Sequence, residues 1–163
     1  MRAIATMFFL ALGLGWSQQH QGHGHGGHGG APSRGPLTPI QLRLIEGWIR
    51  QVPSSLRDTT VYLTVRNPLG RDLRLVGASS PVAEMVMLME DYRETRSGQT
   101  IQGMREVKSF LLPKNGQLVL QPGGKHLMLM GLKRPLKEGE RLPIRLIFEG
   151  EQEAALELKV ERR

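Results

Sequence analysis

Two short stretches hold residues able to do chemistry. "KHLMLMGL" at 125–132 carries His126, Met128 and Met130, and "AEMVMLMED" at 83–91 carries Met85, Met87 and Met89. Side chains of a strand alternate between its two faces. His126, Met128 and Met130 therefore share one face, with Leu127 and Leu129 on the other. Met85, Met87 and Met89 share a face in the same way. Beyond Met1 and Met7, every methionine of the chain lies between 85 and 130; the sixth is Met104. Methionine used only to fill gaps in a core has no reason to cluster so. Thioethers are soft, neutral ligands that favour Cu(I) over hard cations, and an imidazole adds a stronger donor. The alternative is that the methionines fill a core and His126 is a satisfied surface group.

The rest of the chain must bring these stretches together. A hairpin with its tip near Arg96–Gly98 returns Met104 to within a residue or two of Met89. The strand of His126 must then approach the same edge. From residue 42 onward short strands alternate with turn signals: "TVYLTVR", "DLRLVGAS", "IQGMREV", "QLVL", "RLPIRLIFE" and "EAALELKVE" are separated by "NPLG", "PKNG" and "PGGK". "RETRSGQT" reads as a long hairpin tip. No convincing long amphipathic helix remains. This spacing predicts an all-β antiparallel sandwich or barrel.

The 163 residues contain no cysteine and carry a net charge of +7. The missing thiol excludes disulfides, thiolate metal sites, blue-copper centres and a lipidated N-terminal cysteine within these residues. A basic chain suits an acidic protein or a lipid surface. Interspersed acidic residues and few aromatics argue against nucleic acid. No acid–base pair, nucleophile or phosphate loop is visible, so no enzymatic activity is expected.

Residues 1–17 read as a secretory signal: Arg2, an apolar run from Ala3 to Leu14, then small Gly15 and Ser17 before a cleavage point. An uncleaved N-terminal anchor is the alternative. Either way, the remainder is exported. Residues 18–41 are rich in Gly, His and Pro and read as a flexible leader. Within it His20, His23, His25 and His28 are spaced by glycine, a pattern able to wrap Cu(II), Ni(II) or Zn(II). Residues 42–163 form the β-sandwich domain.

The arrangement resembles the PCu(A)C family of periplasmic copper(I) chaperones, which supply the binuclear copper site of cytochrome c oxidase. The family pattern is a His or Met, then a Met, then twenty-one residues, then His-x-Met. Met104 and His126 are separated by twenty-one residues here, and Met128 completes His-x-Met. "GWIRQVP", "VYLTVRNP", "LVGASSP" and "LQPGGKHLMLMGLKRPLKEGE" match as well, so the resemblance runs over roughly 42–160. It implies a cupredoxin-like Greek-key sandwich with an exposed Cu(I) site of Met89, Met104, His126 and Met128. It also implies a partner, the copper-site domain of cytochrome c oxidase subunit II, with a second copper chaperone as a further one, and a location in the periplasm or on the outer face of the cytoplasmic membrane. A monomer is expected.

One departure concerns the first ligand. The family spaces it ten residues before the methionine, which lands on Arg93, a side chain that cannot ligate copper. Aligning "VMLME" with the family strand selects Met89 instead, with fourteen residues before Met104 and Met87 as its stand-in. Met130 reads as packing. A periplasmic copper buffer with no dedicated recipient, and a plain structural sandwich, are the competing functional readings.

Overall fold

The computed structural model describes residues 36–163; the signal segment and the leader histidines His20, His23, His25 and His28 lie outside the described residues. Eleven strands follow in order: β1 (Thr38–Pro39), β2 (Arg43–Arg50), β3 (Thr59–Arg66), β4 (Leu73–Ser79), β5 (Ala83–Arg96), β6 (Gln99–Glu106), β7 (Phe110–Leu112), β8 (Gln117–Leu120), β9 (Lys125–Leu132), β10 (Arg141–Phe148) and β11 (Gln152–Glu161). Helix is absent among the described residues. Thr38 and Pro39 fall inside the span read as leader, yet they pair with Gln152 and Glu153 of β11. The β-domain thus extends N-terminally to at least Thr38.

Alternating sequence becomes alternating burial. In β10, Leu142, Ile144, Leu146 and Phe148 are buried, while Arg141, Pro143 and Arg145 face solvent. Strands run in the order β6-β5-β9-β3-β2-β11-β10-β4-β7, and Ala78 of β4 also pairs with Val86 of β5. That last pairing closes the order on itself, so the leucine and valine faces meet in one interior. Leu63, Leu75, Leu127, Leu129, Ile144 and Leu146 are among its most deeply buried members. Pairing is antiparallel except where β11 meets β1 and β2, which are parallel to it. These strands come from opposite ends of the domain and no hairpin constrains their direction.

Two local features differ from the sequence reading. "RETRSGQT" is not an open tip: β5 and β6 stay paired out to Arg96 and Gln99. Only Ser97 and Gly98 turn the chain, both at positive φ (49° and 80°), the conformation that a two-residue type I′ hairpin requires. In β3, Val61, Leu63 and Val65 are buried as expected, but Tyr62 and Thr64 on the opposite face are buried too. Tyr62 is covered by Trp48, whose ring centroid lies 4.8 Å away.

Candidate metal centre

Strand β5 lies between β6 and β9, and its register decides which side chains meet. Met89 stands opposite His126, Met87 opposite Met128, and Met85 opposite Met130. Across the other edge of β5, Met104 stands opposite Asp91. Thr60 of β3 stands opposite Met128. Residues directly opposite in an antiparallel ladder point to the same face, with Cβ atoms about 5 Å apart. All these side chains therefore belong to one surface, the reverse of the leucine face.

On that surface a cleft of about 520 Å³ is open to solvent, and Met104, His126 and Met128 line it together with Asp91, Thr60 and Tyr62. One wall is the β2–β3 connection, residues 51–58. Backbone and side-chain bonds hold this connection in place: Leu132 N donates to Arg57 O at 2.6 Å and Gly131 N to Asp58 Oδ1 at 3.0 Å. At the start of β3, Thr59 Oγ1 donates to Arg50 O. Three of the four sequence-expected residues thus come together at the cleft. Met89 is next to His126 in register and half-buried, but is not part of the cleft wall. Met87, its stand-in, is likewise half-buried beside Met128 and outside the wall.

The histidine is not on the surface as expected. His126 is 1% exposed; the Tyr62 ring centroid lies 6.2 Å from the imidazole, and the 51–58 connection lines the same cleft. Its Nδ1 lies 3.3 Å from Gly124 O and 3.9 Å from Asp91 Oδ1. A carbonyl oxygen only accepts, so Nδ1 carries the proton and Nε2 presents a lone pair. That Nε2 is buried and has no hydrogen-bond partner. Leaving a buried polar atom unpaired costs on the order of 1–3 kcal/mol, and a bound metal ion removes the cost. Among the described residues, three of the four side chains with such orphaned atoms, Gln51, Thr60 and His126, line this cleft.

The donor set is soft. Met104 is 51% exposed and Met128 half-buried, so both thioethers are within reach of solvent and of an incoming group. No group of three His, Asp or Glu side chains suited to a metal ion is found among the described residues. Two thioethers and one imidazole lone pair suit Cu(I) far better than Zn(II), Mg(II) or Ca(II). Asp91 and Tyr62 were not singled out from sequence. Asp91 was within reach: it stands two residues after Met89, on the same strand face. Tyr62 carries no such signal, since only the β2–β3–β9 packing brings it to the histidine.

A family model described as "Putative lipoprotein LpqE-like" matches residues 42–160. The chain belongs to the LpqE-like family. A relative from Leifsonia xyli subsp. xyli, "Putative lipoprotein Lxx21020", is 34% identical over 108 residues, which is 66% of this chain and 61% of the relative. The chain thus spans about three-fifths of that relative's length. Among solved structures, the solution structure of CuI-DR1885 from Deinococcus radiodurans is 33% identical, with a TM-score of 0.57 over 81% of this chain and 83% of that one. The copper-bound PCuAC domain from PmoF2 has a TM-score of 0.60 over 76% of this chain and 95% of that one. At 20% identity it speaks for the fold alone. The β-domain of this LpqE-like protein therefore has the fold of PCuAC domains, the fold that the Met104–His126–Met128 resemblance implied. The relatives bear lipoprotein names, yet these 163 residues hold no cysteine to carry a lipid.

Proposed function

We propose that the protein is an exported copper(I) chaperone that holds Cu(I) with Met104, His126 and Met128, with Met89, opposite His126, as the fourth donor. The observation that carries this reading is the buried, unpartnered Nε2 of His126 in a cleft shared with two thioethers. The 33% identity to CuI-DR1885 and the fold shared with a copper-bound PCuAC domain support it. Export is supported by the signal-like residues 1–17 and by the lipoprotein names of the relatives; the periplasm or the outer face of the cytoplasmic membrane is the proposed location.

The chemistry is ligand exchange rather than catalysis. Neutral thioethers need no deprotonation and release a metal without taking up protons. The cleft is open, so a donor on a partner can enter while the imidazole still holds the ion. Cu(I) then moves stepwise, each new bond forming as one thioether leaves. The proposed recipient is the binuclear copper site of cytochrome c oxidase subunit II. The His-rich leader is proposed to hold Cu(II) or another divalent ion separately.

X-ray absorption at the copper edge, on protein lacking residues 18–35, tests the site. A shell mostly of sulfur with about one nitrogen is expected. A shell dominated by oxygen or nitrogen overturns it. Transfer of Cu(I) to a purified recipient domain separates a chaperone from a buffer, which would retain the metal.

A further inference from the structure

Three successive rungs of the β5–β9 ladder carry soft donors on one face: Met89 opposite His126, Met87 opposite Met128, and Met85 opposite Met130. The cleft accounts for His126 and Met128 but not for the rung beyond, since neither Met85 nor Met130 lines it. Core packing does not account for that rung either. Of the core-facing neighbours on the same two strands, Leu88, Leu127 and Leu129 are exposed by 4%, 0% and 0% and Val86 is half-buried, whereas Met85 is 55% exposed. Met87 and Met130 are half-buried. A thioether at an outward strand position gains little from burial. What it offers there, and Lys, Thr or Glu does not, is a soft uncharged lone pair.

The geometry suits convergence. Opposite Cβ atoms of an antiparallel ladder are about 5 Å apart, and positions two apart on one strand are separated by about 7 Å. Methionine is unbranched with three rotatable bonds, so the sulfurs of Met85, Met87 and Met130 can meet above the ladder. We propose that Met85, Met87 and Met130 form a second site for a soft monovalent ion, Cu(I), one rung beyond the cleft. Met87 and Met128 face each other at the border between the two sites. An ion steps across that border by exchanging one thioether for the next, with no change in its oxidation state and no proton moved. The second site thus supplies an entry or exit point on the open face.

The test uses the full chain labelled with ¹³C at the methionine methyl groups and titrated with silver nitrate, Ag(I) being a redox-inert soft ion. Single Met→Leu variants assign the methyl signals. The Met104 and Met128 signals are expected to move with one equivalent, and those of Met85, Met87 and Met130 to move together with another. The Met85→Leu/Met130→Leu double variant, a volume-conserving change, is expected to lose the second event and one bound equivalent while keeping the first. Silver on the leader histidines moves none of these methyls, so it does not confuse the reading. If the Met85, Met87 and Met130 signals stay still in excess Ag(I), or move at unrelated points of the titration, the second site does not exist. That result leaves the cleft untouched. Failure of the Met104 and Met128 signals alone to move would instead overturn the cleft and leave the second site standing.

Discussion

Asp91 Oδ1 lies 3.9 Å from His126 Nδ1. The same aspartate stands directly opposite Met104, so one carboxylate links the strand of a thioether donor to the ring of the imidazole donor. Groups placed behind a ligating histidine fix its ring and raise its basicity. Asp91→Asn removes the charge but keeps the shape. Cu(I) affinity is expected to fall by roughly tenfold, the lower end for such partners, with the fold intact. Competition against a Cu(I) chelator measures it, and unchanged affinity would show that Gly124 O alone orients the ring.

His126 and the methionines differ in one testable respect. Thioethers take up no proton, whereas an imidazole that binds a proton cannot bind copper, so protons compete at one cleft donor only. Affinity is expected to weaken toward acid with a slope of no more than about one proton per copper. His126→Ala should lower affinity at neutral pH and flatten that slope. Met128→Ala should lower affinity and keep the slope. The measurement needs protein without the leader histidines and a competitor of known pH dependence; a His126→Ala protein matching the parent in both respects removes His126 from the site.

Four histidines, His20, His23, His25 and His28, lie among glycines before the β-domain. Replacing all four with Ala is expected to abolish weak binding of Cu(II) and leave Cu(I) binding in the cleft unchanged. Calorimetric titration with each ion reads the two separately. Loss of Cu(I) affinity would make the leader part of the main site.

Gly47 of β2 packs where no side chain fits. A Cβ there would lie 2.7 Å from Leu158 Cδ2 and 3.1 Å from Leu63 Cβ. Gly47→Val should therefore overpack the interior and cost about 1–3 kcal/mol of stability. Urea unfolding reads the cost as a lower midpoint. A midpoint equal to that of the parent would mean that Leu158 swings aside freely.

The Glu140 carboxylate accepts from Arg134 Nη1 and Nη2, both at 3.0 Å, and from Lys137 N at 2.6 Å. The Arg134 hydrogen bonds, foremost, hold its pKa below the ordinary carboxylate value. A carboxyl depressed on folding stabilises the protein above its unfolded pKa, about 4.3 for Glu, and loses that contribution as pH falls through the lower folded value. The pair is at the surface, so the effect is small. Glu140→Gln is expected to melt slightly lower than the parent at pH 7 and to converge with it at strongly acid pH. A gap that persists in acid would point to shape rather than charge.

Much of this could be read along the chain, because the two-residue period of a strand is local. Leu142, Ile144, Leu146 and Phe148 announce an inward face, and Leu127 and Leu129 set His126, Met128 and Met130 on the opposite one. The His-x-Met spacing with Met104 before it pointed to soft-metal chemistry, and the family match covers the span that those motifs marked. Period alone, however, assigns a face and not a partner: a strand slipped along its neighbour by two residues keeps the same face and changes every opposite number. Only the tertiary structure decides that the Ser97–Gly98 turn sets Met104 against Asp91 rather than Met89, and that β9 sets Met89 against His126. The burial of His126 has the same origin. Tyr62 and the 51–58 connection lie more than sixty residues away along the chain, and only the antiparallel pairing of β3 with β9 brings them to the cleft that His126 lines, where its Nε2 has no partner.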